Sequence, residues 1–152
     1  MFRKLEKNFQ SGFTMIEMLI VIALIAILAG FSAIYLSTIL SKNNLDVTSQ
    51  TVVSTLRRAQ VLSQAVKEDS PWGVKINIGE IVLFKGDGYL NRDPNYDELT
   101  SIPNAVDVLG ISEVVYSKMS GLPNTTGDIT LQASATEEQK NININTKGRL
   151  TY

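Results

Sequence analysis

The residue type with the clearest chemical purpose is a carboxylate that stands alone. Glu17 is the single charged residue between Lys7 and Lys42, at the head of an uncharged run over residues 18–36. An acid at the edge of lipid is costly and normally has a partner. The residues before it read Ser11-Gly12-Phe13-Thr14-Met15-Ile16, after a short basic head in which Arg3, Lys4 and Lys7 outweigh Glu6. A second candidate is Asp93-Pro94-Asn95-Tyr96-Asp97-Glu98, where Asp93, Asn95 and Asp97 set oxygen ligands at alternate positions, as calcium loops do. A full EF-hand needs glycine where Glu98 stands and glutamate where Asn104 stands, so these three residues are only weak calcium candidates, and a solvated acidic loop explains them as well. Lys140, Lys147 and Arg149 form a small basic group near the end of the chain. Non-specific DNA binding normally needs more cations than that on one face, and a surface turn accounts for them. Trp72 fits a core aromatic where helix meets sheet, or else a platform for a sugar.

Absences narrow the chemistry further. The 152 residues include no histidine and no cysteine, which excludes histidine triads, thiol nucleophiles and zinc sites built on those ligands. Carboxylate, serine or lysine chemistry remains, and no motif for it is present. No cofactor is implied, and an enzyme is not expected. Net charge is -1, and subtracting the +2 of the leader leaves -3 on the rest of the chain, no footprint of nucleic acid.

These groups must be positioned by a few elements. At about 1.5 Å per residue, the run over 18–36 reaches roughly 28 Å as a helix, close to the ~30 Å hydrocarbon core of a bilayer. It is too long for the apolar core of an ordinary secretory signal, which spans about 7 to 15 residues and is followed by a small-residue cleavage site. The helical pattern continues: Leu45, Val52, Leu56, Ala59, Leu62 and Val66 draw one apolar stripe. A single helix is expected from Phe13 to about Lys67, lipid-facing in its first half and amphipathic in its second. Asp69-Ser70-Pro71 ends it.

From Trp72 the period changes to two. Val74, Ile76 and Ile78 alternate, Gly79-Glu80 offers a two-residue turn with glycine first, and Ile81-Val82-Leu83-Phe84 returns as the second strand of a hairpin. Residues 85–103 read as a long irregular surface loop. Strands resume over 105–109 and 111–117, then around Ile129 and Leu131, around Ile142 and Ile144, and at Leu150-Thr151-Tyr152. The expected fold is α+β: a long N-terminal helix packed on a C-terminal antiparallel sheet with one apolar face. About 116 residues remain after the leader and the apolar run, enough for one small domain.

The basic leader, Gly12, Phe13-Thr14-Met15-Ile16-Glu17 and the unbroken apolar run resemble the prepilin signal of type IV pilins and type II secretion pseudopilins. In that family a membrane peptidase cuts after the glycine and methylates the new N-terminal phenylalanine. The resemblance therefore implies cleavage between Gly12 and Phe13, N-methylation of Phe13, and a helix retained in the mature protein. It implies a division into a leader (1–12), a membrane and assembly segment (13–36) and an exported pilin-like domain (37–152). It also implies that Glu17 pairs with the Phe13 amino group of a neighbouring subunit; an N-terminal helix acid stabilised by the macrodipole is the plainer reading. Many members carry a proline midway along the segment, where this chain reads Gly30-Phe31-Ser32-Ala33-Ile34, and Gly30 and Ser32 only soften a helix that proline would kink.

Shorter pieces resemble the H-type minor pilins and pseudopilins: Trp72-Gly73-Val74, Leu83-Phe84-Lys85-Gly86, Ser120-Gly121-Leu122-Pro123, Ile142-Asn143-Ile144 and Lys147-Gly148-Arg149. The implied partners are other pilin or pseudopilin subunits, prepilin peptidase and an inner-membrane assembly platform. The implied location is the cytoplasmic membrane, crossed once, with the C-terminal domain exported and later carried into a pilus or pseudopilus. Two alternatives stand beside a structural (minor) subunit: a competence pilin that binds DNA, and a membrane-tethered binding domain.

Overall fold

A computed structural model describes residues 12–152, and for residues 31–37 the backbone alone. The leader expected over 1–12 lies outside the described residues except at Gly12. The elements are α1 (Met15–Gln64), a 3₁₀ turn (Lys67–Asp69), β1 (Trp72–Asn77), β2 (Glu80–Lys85), a 3₁₀ turn (Tyr89–Asn91), β3 (Asp93–Ser101), β4 (Val106–Gly110), β5 (Glu113–Tyr116), β6 (Gly127–Ala133), β7 (Gln139–Ile144) and β8 (Leu150–Thr151). The α+β class expected from the sequence is the class observed, a helix packed on antiparallel strands. The chain divides into two compact units, Met1–Leu36 and Ser37–Tyr152, and α1 contributes to both.

In the first unit α1 is apolar on every side. Ile16, Leu19, Ile20, Ile22, Leu24, Ile25 and Leu28 are all exposed, and they point all round the helix. Such a helix belongs inside a bundle or a membrane. Among the described residues no helix is long and apolar enough to cross a membrane. The expected span over 18–36 runs into residues 31–36, whose side chains lie outside that description.

In the second unit the stripe expected on α1 is buried at Leu45, Val52, Leu56 and Ala59 and half-buried at Leu62. The helix stops at Gln64, short of Lys67, because Val66 is left-handed (φ 53°), as are Glu68 and Asp69. The backbone can leave the helix there because other groups take its carbonyls: Met119 N–H donates to Ser63 O at 3.0 Å. The Ser63 hydroxyl, fully buried, accepts the N–H of Trp72 at 2.9 Å and fixes where β1 begins.

Two four-stranded sheets replace the single sheet expected. Sheet A has the order β3-β2-β1-β5 and sheet B the order β4-β6-β7-β8. Both turn an apolar face to α1: Val74, Ile76, Ile81, Leu83, Val114 and Tyr116 from sheet A, and Val106, Ile129, Leu131, Ile142 and Ile144 from sheet B. The first hairpin turns through Ile78-Gly79, not Gly79-Glu80, since Asn77 pairs with Glu80 and Gly79 takes the positive φ of 84° in second place.

The long loop expected over 85–103 is mostly strand. β3 pairs with β2 alone, so it is an edge strand, where proline and a polar sequence are tolerated; Pro94 and the acids hide it from a search for alternation. What remains of the loop, residues 86–92, folds over the far face of sheet A. Tyr89 packs edge-on against Phe84 at 5.6 Å and closes a small second cluster with Val82 and Val115. Gly73 is needed beneath it: a Cβ there would lie 2.4 Å from Phe84 Cζ.

Tyr116 is fully buried in the main core, and its hydroxyl has no partner among the described residues. Burial pushes its pKa up to about 12. Since both sheets share their apolar faces with α1, residues 37–152 expressed without the first unit are expected to be soluble and folded, with helix and strand in the circular dichroism spectrum. A spectrum of disordered chain would contradict this.

Candidate functional site

Gly12, Phe13 and Thr14 precede the first turn of α1 in non-helical backbone, all exposed. No described atom approaches within 4 Å of where a Gly12 side chain would begin. A peptidase needs such a segment, because it must lay the scissile bond in its own site as extended chain. Phe13 is 81% exposed, so its ring is open to a partner.

Helix α1 starts with a reciprocal pair of hydrogen bonds. Glu17 N–H donates to Thr14 Oγ1 at 3.3 Å, and Thr14 N–H donates to Glu17 Oε2 at 3.4 Å. This is a capping box, with threonine at the N-cap and glutamate at N3. Sequence reasoning missed Thr14, although the signal, threonine followed three residues later by glutamate, is readable. The arrangement places the Glu17 carboxylate beside Thr14 at the start of α1, where the positive end of the helix dipole favours it. Both bonds are long, so the carboxylate is held loosely.

The calcium candidates are placed differently from a loop. Asp93, Asn95 and Asp97 lie on β3. Asp93 Oδ1 accepts both the N–H and the side-chain amide of Asn95, and Asp97 is paired with Arg92 at 2.8 Å. Arg92 also lies over the Tyr89 ring at 3.9 Å, so this acid serves to clamp the loop over 86–92. Among the described residues no group of three or more acids is placed to hold a metal ion. Millimolar calcium is therefore expected to leave the melting temperature of the detergent-solubilised chain within about 2 °C, whereas a ligand at a hundred times its Kd adds about 2.7 kcal/mol. A larger rise would restore Asp93, Asn95 and Asp97 as ligands.

The basic group does not hold together. Lys140 pairs with Asp46 on α1, beside a second bridge from Lys42 to Glu138 at 3.2 Å; the two close the rim of an open 340 Å³ pocket. Lys147 and Arg149 are exposed on a tight turn in which Asn145 Oδ1 accepts both of their N–H groups, at 2.9 and 2.8 Å. Trp72 is buried, with its ring edge-on to Tyr96 and its indole N–H donating to Lys67 O at 3.0 Å. It is a core residue, and the sugar platform falls away.

Compared with known families, residues 7–33 match the prokaryotic N-terminal methylation motif. The matched stretch contains Gly12, Phe13, Thr14 and Glu17 and ends within α1. No solved structure matches the chain.

Proposed function

We propose that this chain is a structural subunit, of the minor kind, of a type IV pilus or a type II secretion pseudopilus. What carries the reading is one register: an exposed Gly12-Phe13 bond, a glutamate four residues on from Phe13, and a helix apolar on every side, all inside the methylation-motif match. Prepilin peptidase hydrolyses the Gly12–Phe13 amide and a methyl group is added to the new amine of Phe13. The subunit waits in the cytoplasmic membrane with residues 37–152 exported. An assembly platform then moves it into a filament, where α1 exchanges lipid for the helices of other subunits. Apolar side chains meet apolar surroundings before and after, so little hydrophobic stabilisation changes on transfer. Register must come from the charge: Glu17 meets the amine of a neighbouring Phe13.

The H-type minor branch is the finer part of the proposal and rests on the short resemblances at Trp72-Gly73-Val74 and the four other pieces. The DNA-uptake alternative is weakened by the loss of Lys140 to its pair with Asp46.

Mass spectrometry of the membrane-extracted protein is expected to find a chain beginning at N-methylated Phe13. An N-terminus beyond residue 36 would mean ordinary signal-peptide cleavage and would overturn the proposal.

A further inference from the structure

An edge strand carries backbone N–H and C=O groups that its own sheet does not satisfy. β5 ends one side of sheet A, but Val115 N–H donates to Asn124 Oδ1 at 2.9 Å and Asn124 N–H to Val115 O at 2.8 Å, so the segment before β6 closes that edge. In sheet B, β8 is two residues long, and Val106, Asp107 and Val108 of β4 are buried or half-buried. β3 differs from all of these. It bonds to β2 alone and exposes Glu98, Leu99, Thr100 and Ser101 in succession. Side chains alternate between the faces of a strand, so neither face is covered there.

The ladder fixes which backbone groups are free. Ile102 N–H donates to Gly79 O at 3.0 Å, toward β2, and the antiparallel register sets Thr100 against Ile81 and Glu98 against Leu83. Bonding alternates along such a ladder, so Glu98 and Thr100 are used by β2, while Leu99 and Ser101 turn N–H and C=O outward. At its other end the strand is guarded: the register slips between Leu83 and Lys85, and Pro94 has no N–H to give. From Glu98 to Ser101 there is no proline, lysine or bulge.

Side chains then say what fits beside it. On the face turned to α1, Glu98 is taken by Arg58 at 2.7 Å. On the far face Leu99 is 67% exposed opposite Val82, and Ser101 stands opposite Glu80. Glu80 is half-buried, accepts the Asn77 amide at 3.3 Å, and pairs with no cation among the described residues. Ser101 is small, so a long side chain on the next strand can lie across it and reach that carboxylate.

We propose that the open edge at Leu99 and Ser101 takes an extended segment of a partner protein as a further antiparallel strand, one with lysine or arginine two residues before an apolar residue. The apolar residue sits opposite Leu99, exchanges both backbone bonds with it and packs on its side chain; the basic residue crosses Ser101 to Glu80. β3 of a second copy does not fit, because it brings Asp97 and Glu98 against the same acids, and like charges across a ladder repel. The inference does not depend on assembly into a filament.

The test uses the full chain in detergent and a fluorescein-labelled octapeptide with lysine, threonine and leucine in succession at its centre, read by anisotropy. Saturable binding is expected. N-methylating the leucine amide, which faces Leu99, is expected to weaken it about tenfold, and N-methylating the threonine amide, which points away, about twofold or less. Leu99→Pro removes an outward N–H and leaves the bonds to β2 in place, so it is expected to weaken binding about tenfold at an unchanged melting temperature. Leu99→Lys, a charge on the edge, does the same where proline does not fold. Glu80→Lys is expected to weaken the lysine peptide about fivefold and to strengthen one with glutamate in its place. Absence of saturable binding, equal effects of the two methylations, or wild-type binding by the Leu99 variants overturns strand addition, and an unchanged charge preference in Glu80→Lys overturns the basic occupant. A chain that sediments as a dimer, and as a monomer once Leu99 is replaced, means that a second copy holds the edge and overturns a separate partner.

Discussion

Replacing Glu17 by alanine is expected to leave insertion and cleavage largely intact and to abolish assembly. Alanine extends the apolar run toward its start, so insertion becomes easier. On the proposed reading cleavage depends on Gly12, which lies outside α1. What alanine removes inside the subunit is small: the long bond that the Glu17 carboxylate accepts from Thr14 N–H and a favourable dipole contact, together about 1 kcal/mol at a solvated helix start, while the Glu17 N–H keeps its bond to Thr14 Oγ1. If Glu17 meets a neighbouring Phe13 amine as proposed, what alanine removes between subunits is large, because an amine in a low-dielectric bundle is left without its counter-charge, and breaking such a pair costs roughly 3 to 5 kcal/mol. Processed protein should therefore accumulate in the membrane and fail to pull down its partner pilins.

The capping box supplies a control that separates the two roles. Glutamine also serves at the N3 position, so Glu17→Gln keeps the helix start and removes only the charge. Both variants are expected to fail in assembly. If Glu17→Gln assembles like the wild type while Glu17→Ala does not, the residue acts as a cap and the pairing with Phe13 is wrong.

The second large effect is expected at high pH and comes from Tyr116. Its pKa is raised by burial from 10.0 to about 12 in the folded chain. The folded state thus holds the proton more tightly than the unfolded state. The contribution is fully present below about pH 10 and is lost as pH rises toward 12, because the buried phenolate is disfavoured. Two pKa units correspond to about 2.7 kcal/mol at most. Tyr116→Phe removes a hydroxyl that has no partner among the described residues and leaves the ring packing in place, so at pH 7 it is expected to be neutral or mildly stabilising. Thermal melts of both forms at pH 7 and pH 11 isolate the effect, since every other titrating group is common to the pair. The phenylalanine form should lose less stability between the two pH values. Equal losses would show that Tyr116 stays protonated by some other means or is not buried in solution.

How far the sequence reveals this molecule depends on whether a signal is local. The stripe on α1 and the alternation of Val74 and Ile76, or of Ile142 and Ile144, follow from burial of one face and are legible. β3 is not, because an edge strand bonded on one side need not alternate, and Asp93-Pro94-Asn95 imitates a loop. The end of α1 is expected three residues late, at Lys67, because what stops it is distant: Met119 donates to the Ser63 carbonyl. The division of the strands between two sheets is likewise set by long-range pairing that no short window contains.

At the site, Gly12, Phe13 and Glu17 are readable as a register. Thr14 carries an equally local signal, hidden only by the attention its neighbours attract. Asp97 looks like a metal ligand when it is judged by neighbouring acids; Arg92, five residues earlier, takes the carboxylate instead. Lys140 looks available for the same reason, its partner Asp46 lying far away in sequence.

The strand order also bears on when the unit Ser37–Tyr152 can fold. Sheet A takes β1, β2 and β3, the chain crosses to sheet B for β4, returns for β5, and crosses again for β6 to β8. Trp72 on β1 waits for Tyr116 before its second neighbour arrives, and β4 has no partner until β6 is made. Pairings this distant in sequence form slowly, because loop closure precedes the contacts that reward it. If the unit is exported as proposed, sheet A can be completed only once β5, ending at Tyr116, has emerged, and sheet B only once β8 at Leu150–Thr151 has. Such a chain is expected to stay unfolded while β1 to β5 cross, the state a narrow pore requires, and to close sheet A on α1 before sheet B.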